Sequence, residues 1–275
     1  MTALPRQLLF IAALVATALI CLAVAPFMRQ VSGALGPTVI TSQSPLLAVI
    51  VMLIALFLAT GIGMLVGRTS NASVGMFVVG FGLAVLSLNL APLQEIAFHG
   101  KLPPVVFSLA VWSGLILLMS ILMFRVCGPI PQIRVLPGEP VPDPLRSQSA
   151  LQSCACGLIV LPIVWIIART PADGQTLAAV TIGGTLVGLA GRLVAPSVQP
   201  VLLFASPCAA GFLGALWGWF EAGTATQLAN NYVLRELLPL SYPMPLDYVA
   251  GSLMGVSIGI GWSQSFLEDE SQQST

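Results

Sequence analysis

Charged side chains are scarce in this sequence. Lysine and arginine together number 10 and aspartate and glutamate 10, so 7% of the 275 residues are charged, against about 25% in a soluble domain. The two signs cancel, and the chain has no basic field that would attract nucleic acid. Hydrophobic residues reach 57%, and a bilayer is the solvent in which so apolar a chain is stable. The composition therefore predicts an integral membrane protein in contact with the lipid bilayer.

Metal ligands are also few. Histidine occurs once, as His99, and cysteine five times. Cys154 and Cys156 are two residues apart, about 200° around a helix, so they cannot readily chelate one ion. The odd number of cysteines argues against a disulfide framework. We predict no metal site and find no indication of a cofactor.

Eight long uncharged runs dominate the chain. Each is about long enough to cross a hydrocarbon core of roughly 30 Å, and the runs are continuous rather than alternating, which excludes barrel strands. They are Leu8–Phe27, Leu46–Val66, Ala72–Leu90, Val105–Phe124, Ala150–Ala168, Thr176–Ala190, Val198–Phe220 and Tyr248–Phe266. The sixth run, the shortest, spans only if its helix continues past Arg192, whose side chain would then snorkel to the surface. We predict an all-α, polytopic membrane protein of about eight transmembrane helices.

None of these runs contains Asp, Glu, Lys or His. Proton pumps and ion-coupled carriers place such groups within the bilayer. The sequence therefore disfavours both mechanisms.

The basic residues favour one orientation. With the N terminus inside, the cytoplasmic set is the larger, as the positive-inside rule requires. That set is Arg6, Arg68, Arg125, Arg134, Arg146 and Arg192, and the opposite set is Arg29, Lys101, Arg169 and Arg235. Both termini are then cytoplasmic, and the membrane is the cytoplasmic (inner) membrane if the protein is bacterial.

A proline-rich segment, residues 127–149, divides the chain. Its six prolines disfavour helix and favour a semi-rigid cytoplasmic linker, with a ligand for a proline-binding domain as the alternative. Residues 1–126 form the first four-helix membrane half and residues 150–266 the second. Residues 267–275 form an acidic cytoplasmic tail.

The two halves share a sequence feature. Leu65–Val74 and Leu189–Val198 match at five positions in register, each between the second and third helices of its half. Because each half has an even number of helices, we expect two tandem repeats in parallel orientation. Arg68 and Arg192 are equivalent in these turns. Each lies at the negative end of a helix dipole, and together they are a candidate site for an anion or a lipid headgroup.

Glu95 and His99 are the candidate catalytic pair. If Leu93–Phe98 is helical, they lie at positions i and i+4, where a carboxylate can orient an imidazole as a general base. The alternative is an interfacial loop whose polar groups meet water and headgroups. No nucleophile accompanies the pair, so the sequence leans against an enzyme.

Proline and glycine mark weak points in three helices. Pro207 removes a backbone hydrogen bond and should bend the seventh helix, with Ser206 as a substitute donor, and Pro162 should bend the fifth. In the register of the repeat Ser206 corresponds to Gly82, which lies beside Gly80 in the third helix. Matched interruptions line a substrate pathway in carriers, and two bent helices packed together are the alternative.

Small-residue spacings let helix backbones approach closely. They are Gly63–Gly67, Gly184–Gly188, Gly214–Gly218, Gly251–Gly255 and Gly255–Gly259. These faces predict tight packing within the chain, or docking of a membrane-protein partner or a second copy. A separate interfacial helix is predicted over Thr224–Leu238, with Thr224 as its cap and Pro239 as its stop.

Three functional classes remain open. A membrane-embedded scaffold or accessory subunit fits the short loops, the glycine faces and the lack of intramembrane charge. An uncoupled carrier or channel for a small or lipid-like solute fits the suggested repeat and the matched weak points. An interfacial membrane enzyme is third. We favour the first.

Overall fold

The computed structural model describes residues 3–31, 33–90, 93–99, 102–130, 133 and 142–273. Within these residues the chain is helical and forms no β-strand, which confirms the prediction of an all-α fold. Six segments of this part are long and apolar enough to cross a membrane: Pro5–Met28, Pro45–Thr69, Pro103–Cys127, Gln148–Ile167, Asp173–Val194 and Val201–Ala222. The protein is therefore an α-helical, multi-pass membrane protein.

The first half contains five α-helices in its described residues, and residues at the helix starts explain where three of them begin. They are α1 (Ala3–Leu22), α2 (Pro45–Thr69), α3 (Ala72–Ser87), α4 (Gln94–His99) and α5 (Pro103–Cys127). Proline starts α2 and α5, at a position where its missing N–H has no partner to lose. The Asn71 side chain caps α3 by accepting from the Val74 N–H at 2.9 Å. With 16 residues, α3 is shorter than the six spanning segments.

The second half contains the remaining helices. They are α6 (Gln148–Ala155), α7 (Val160–Ile167), α8 (Asp173–Val194), α9 (Val201–Ala222), α10 (Ala225–Leu234) and α11 (Pro245–Gln273). A 3-10 turn, Cys156–Ile159, joins α6 to α7 within one apolar segment. It contains the Leu158 carbonyl, to which Pro162 cannot donate, and so accounts for the irregularity predicted in the fifth helix.

Two helices extend beyond their predicted ends. As expected for a spanning segment, α8 continues past Arg192 to Val194. The last helix, α11, continues past Phe266 to Gln273, so the backbone of residues 267–273 is helical. That residues 267–275 form an acidic cytoplasmic tail stays a prediction. Residues 131–132 and 134–141, the main part of the predicted linker, lie outside the described residues.

The helix α10 confirms one predicted end and corrects the other. Thr224 and Gln227 form a capping box: the Gln227 N–H donates to Thr224 Oγ1 at 3.3 Å, and the Thr224 N–H donates to Gln227 Oε1 at 2.9 Å. The helix ends at Leu234 and not at Leu238, because Arg235 adopts the left-handed conformation with φ of 58°. Pro239 instead begins a 3-10 turn.

Contacts near helix ends establish that α3 and α11 are antiparallel. Ser87, at the end of α3, meets Asp247, at the start of α11, and Ser73 meets Ser257 at the opposite end. The helices α8 and α11 are parallel, because Thr176 also meets Asp247 near the start of both. Farther along, Gly188 of α8 lies against Gly259 of α11.

Contacts also define the relative directions of two further helix pairs. The helices α5 and α9 are antiparallel, since Ser120 Oγ donates to the Val201 carbonyl at 2.9 Å while Cys208 lies by Leu109. The helices α2 and α5 are parallel, with Gly63 beside Met123 and Gly67 beside Cys127. In the described part of the chain, α3 and α9 thus run one way, and α2, α5, α8 and α11 run the other.

The centre of the molecule is the N-terminal two thirds of α11. This helix packs against α3, α5, α8 and α9, and its side chains Tyr248, Val249, Ala250, Leu253 and Val256 are 0% exposed. Its small and hydroxyl-bearing residues suit this position, because neighbouring helices cover it where other helices face lipid. The core therefore forms around a helix that is not among the six segments long and apolar enough to cross a membrane.

Glycines bring α8 and α11 into backbone contact. A Cβ on Gly184 would lie 2.8 Å from the Gly251 carbonyl oxygen, and one on Gly255 would lie 2.3 Å from the Thr181 carbonyl oxygen. The predicted tight packing is thus confirmed. Gly63 and Gly67 likewise contact α3 and α5, and Gly214 and Gly218 contact Leu240 and Ser241. These faces are covered within the chain, and docking of a partner or a second copy stays a prediction.

Candidate functional site

Arg68 and Arg192 lie at the same end of the molecule but in different surroundings. Arg68 is exposed at the end of α2. Arg192 is 2% exposed, and its guanidinium donates to the Pro196 and Val198 carbonyls at 3.3 and 3.1 Å. Arg192 therefore does not snorkel to the surface as predicted. It braces the turn between α8 and α9, where its bonds to carbonyl oxygens offset the loss of water.

The glycines beside these arginines also differ in their contacts. Gly67 packs against Cys127 of α5, whereas Gly191 packs against Leu203 of α9. The two matched turns therefore perform different structural tasks. An anion site formed jointly by Arg68 and Arg192 stays a prediction.

Glu95 and His99 lie on α4, which confirms the predicted helical segment. Glu95 is half-buried. The side chain of His99 and the whole of Lys101 lie outside the described residues. The helix itself packs against α10, where the rings of Phe98 and Tyr232 meet edge to face with centroids 5.8 Å apart. The catalytic pairing stays a prediction.

Ser206 supplies the hydrogen bond that Pro207 removes. Its Oγ donates at 3.0 Å to the Leu203 carbonyl, the group that residue 207 would otherwise bond in a regular helix. The predicted substitution is thus confirmed. The helix α9 remains helical through this point, as α3 does through Gly80 and Gly82. That these positions are matched weak points stays a prediction.

The residues predicted to line a pathway are instead at close helix contacts. Ser206 is 4% exposed and lies against Gly157 in the 3-10 turn. A Cβ on Gly80 would lie 2.7 Å from Leu253 Cβ, and one on Gly82 would lie 2.8 Å from the Thr17 carbonyl oxygen. These positions are occupied by helix packing, and a pathway lined by them stays a prediction.

A buried carboxylate that sequence reasoning missed joins three helices. Asp247 is 2% exposed. Its Oδ1 accepts a hydrogen bond from the Ser87 hydroxyl of α3, and its Oδ2 accepts one from the Thr176 hydroxyl of α8 at 2.9 Å. The same Oδ2 accepts from the Met244 N–H at 2.9 Å. We call Asp247, Ser87, Thr176 and Met244 the Asp247 cluster.

Local sequence positions this carboxylate. Pro245 begins α11, and Asp247 is the third residue of the helix, from which a carboxylate can reach back to the N–H of the residue before the helix. That N–H belongs to Met244. An acidic residue in the first helical turn, just after a proline, was the available signal. It was missed because the apolar run was taken to begin at Tyr248.

All the hydrogen-bond donors in the Asp247 cluster belong to the chain itself. Each hydrogen bond to an ionised group contributes about 1.5–3 kcal/mol, and Asp247 accepts three within the chain. The arrangement holds the starts of α8 and α11 against the end of α3. It does so with donors that the protein itself supplies.

A second polar contact holds the other end of the same helix pair. Ser257 Oγ donates to the Ser73 carbonyl at 2.8 Å, and Ser73 Oγ donates to the Ser257 carbonyl at 3.5 Å. Ser73 and Ser87 are 14 residues apart on α3, or about 21 Å at 1.5 Å per residue. The pair α3–α11 is therefore fastened at both ends.

Metal-binding groups do not assemble in the described residues: no three His, Cys, Asp or Glu side chains there lie close enough to hold an ion.

Comparison with other proteins gives no information on function, since the chain matches no known family, no curated protein and no solved structure.

Proposed function

We propose that the chain is a membrane-embedded scaffold or accessory subunit. The observation that carries this proposal is the position of α11, whose side chains from Tyr248 to Val256 fill the centre and are covered by four other helices. Because side chains fill the centre of the molecule, its outer surface is the part available for binding another membrane protein. The polar contacts at both ends of α3–α11 add rigidity to that centre.

The proposal includes eight membrane crossings. The short helix α3 and the central helix α11 would cross in addition to the six apolar segments, each in a direction that alternates along the chain. Arg6, Arg68, Arg125, Arg146 and Arg192 then lie at one end, and Arg29, Arg169 and Arg235 at the other. This distribution supports cytoplasmic termini and, in a bacterium, the cytoplasmic membrane.

We also propose that the two halves arose by duplication, and this proposal concerns only the order of their helices. The third helix of each half packs against the fourth helix of the other: α3 against α11, and α9 against α5. Exchange of the halves would interconvert these two contacts, which supports the repeat. Within the halves the packing differs, since α8 lies along α11 on a row of glycines.

An uncoupled carrier is the alternative. Alternating access would require α11 to move against α3 and α8, which would break the Asp247 cluster and separate backbones that are now in contact. An interfacial enzyme based on Glu95 and His99 is third, with no nucleophile proposed beside it.

Photo-crosslinking in native membranes tests the scaffold proposal. A photoreactive phenylalanine analogue would replace Phe57, Phe107 or Trp217 one at a time; these side chains are 79%, 61% and 63% exposed and lie on α2, α5 and α9. Phe204, which is 0% exposed, is the control. We expect at least one outward position to yield a single protein adduct in near-stoichiometric amount, and the Phe204 position to yield none.

A carrier predicts a different pair of results. No surface position would give a protein adduct, and the purified chain in liposomes would release small entrapped solutes. That combination would overturn the scaffold proposal.

A further inference from the structure

Two arginines from distant parts of the sequence line one pocket at the end of the molecule opposite Arg68. Arg169 follows α7, and Arg235 follows α10. They line a partly open pocket of about 230 Å³ together with Thr170, Tyr232 and Tyr242. This volume lies a little below the range of about 300–1,000 Å³ for small-molecule sites, and it suits a single headgroup-sized ion.

The pocket is positively charged and has no acidic lining residue. Within the described residues neither arginine forms an ion pair, and the one side-chain bond of Arg169 is from Nε to the Ile166 carbonyl at 3.1 Å. That bond leaves the terminal nitrogens of Arg169 available. The whole chain has only 10 lysines and arginines, so two at one pocket without a carboxylate indicate an external anion.

Tyr242 adds a neutral donor. It is 5% exposed and lines the pocket, and its hydroxyl makes no hydrogen bond to another described residue. Burial and the nearby Tyr232 raise the pKa of Tyr242 above its usual value, although Arg235 acts in the opposite direction. The hydroxyl therefore stays protonated at neutral pH and can donate to an anion.

Arg235 also has a simpler structural explanation. A cation at the end of α10 is favoured by the helix dipole. The left-handed backbone of Arg235 belongs to an ordinary helix C-cap, in which the Glu236 N–H donates to the Asn231 carbonyl at 2.8 Å and the Arg235 N–H to the Tyr232 carbonyl at 3.2 Å. Neither the cap nor the dipole accounts for the presence of Arg169 across the pocket.

We propose that Arg169, Arg235 and Tyr242 form a binding site for a phosphate group at the non-cytoplasmic surface. Two guanidinium groups match the geometry of phosphate oxygens, and the interface of a bilayer presents such groups on lipid headgroups. A soluble phosphate is the other source of the same chemistry.

Thermal unfolding of the purified full-length chain in neutral detergent, followed by tryptophan fluorescence, tests the site. Inorganic phosphate is titrated at constant ionic strength in one arm, and short-chain phosphatidylglycerol in the other, with phosphatidylcholine of equal chain length alongside. We expect saturable stabilisation by at least one probe. Stabilisation by phosphate identifies a soluble ligand, and stabilisation by a phospholipid alone identifies the headgroup.

Substitutions test whether the stabilisation by the probe arises from binding at this pocket. We expect Arg169→Gln and Arg235→Asn each to raise the half-saturating probe concentration about tenfold or more, and Tyr242→Phe to raise it several-fold. Asn tolerates the left-handed backbone at position 235. Arg29→Gln, an exposed arginine at the same end outside the pocket, is the control and should leave it unchanged. The site is refuted if wild type shows no saturable stabilisation, or if the Arg169→Gln/Arg235→Asn double variant binds as wild type does.

Discussion

Asp247 and Arg192 are both charged, and both are 2% exposed. Asp247 accepts hydrogen bonds from three neighbours, and Arg192 donates to two carbonyl groups. Both flank apolar runs in the sequence, but only Arg192 was identified as a candidate, and Asp247 was missed. The sequence could not predict the burial of either residue, since burial depends on which other helices close around them. The position of Arg192 at a helix end was thus predictable, and its surroundings were not.

Removal of the Asp247 carboxylate should destabilise the molecule. In Asp247→Ala the Ser87 and Thr176 hydroxyls and the Met244 N–H lose a buried acceptor, at a cost of about 3 kcal/mol or more. Asp247→Asn should cost less, because the Ser87 hydroxyl can rotate to accept from the new amide. The measurement is the temperature of half-loss of the monodisperse peak after heating in detergent.

Asp143 provides the matched control for this change. It also accepts backbone N–H bonds, from Leu145 and Arg146, but it is exposed. Asp143→Ala should therefore alter stability by less than about 1 kcal/mol. Equal stability of Asp247→Ala and Asp143→Ala would show that the Asp247 cluster does not hold the helices together.

The ends and irregularities of single helices were predictable where they depend on residues that are close together in the sequence. The capping box of Thr224 fixed the start of α10, and Pro162 disturbed the regular helix before it. The end of α10 was mispredicted, because the left-handed turn at Arg235 leaves no signal comparable to a glycine. The glycine faces foretold close packing, but only the arrangement of α8 beside α11 showed that the chain uses those faces itself.

Two alanine substitutions on α11 separate contact from helix propensity. Gly255→Ala places a methyl group 2.3 Å from the Thr181 carbonyl oxygen, so α8 and α11 must move apart. Gly261→Ala meets nothing within 4 Å, and alanine favours a helix over glycine by about 1 kcal/mol. We expect Gly255→Ala to lose about 2 kcal/mol or more and Gly261→Ala to be neutral or stabilising, as measured by unfolding in a denaturing detergent. A harmless Gly255→Ala would contradict the backbone contact.

At the scale of the whole molecule, the most apolar segment is not the most buried one. The most apolar segment, Pro5–Met28, is among the least buried of the six, whereas Val201–Ala222 is among the least apolar and is the most buried. Six of the eight predicted runs coincide with segments of the described chain that are long and apolar enough to cross a membrane. The runs could not identify α11 as the centre, because a helix surrounded by protein needs small side chains more than apolar ones.

Reporter fusions test the proposed topology. Eight crossings place residue 275 in the cytoplasm and Gly223, between α9 and α10, on the opposite side. In a bacterial host a green fluorescent protein fused after residue 275 should fluoresce, and alkaline phosphatase fused after Gly223 should be active. Active phosphatase at residue 275 would mean an odd number of crossings or the reverse orientation.

The central position of α11 has a consequence for biogenesis. This helix follows in the chain every helix that it packs against. During translation the earlier helices are therefore made before their common partner, and the contacts of Ser87, Thr176 and the glycines of α8 with α11 cannot form until α11 has been synthesised.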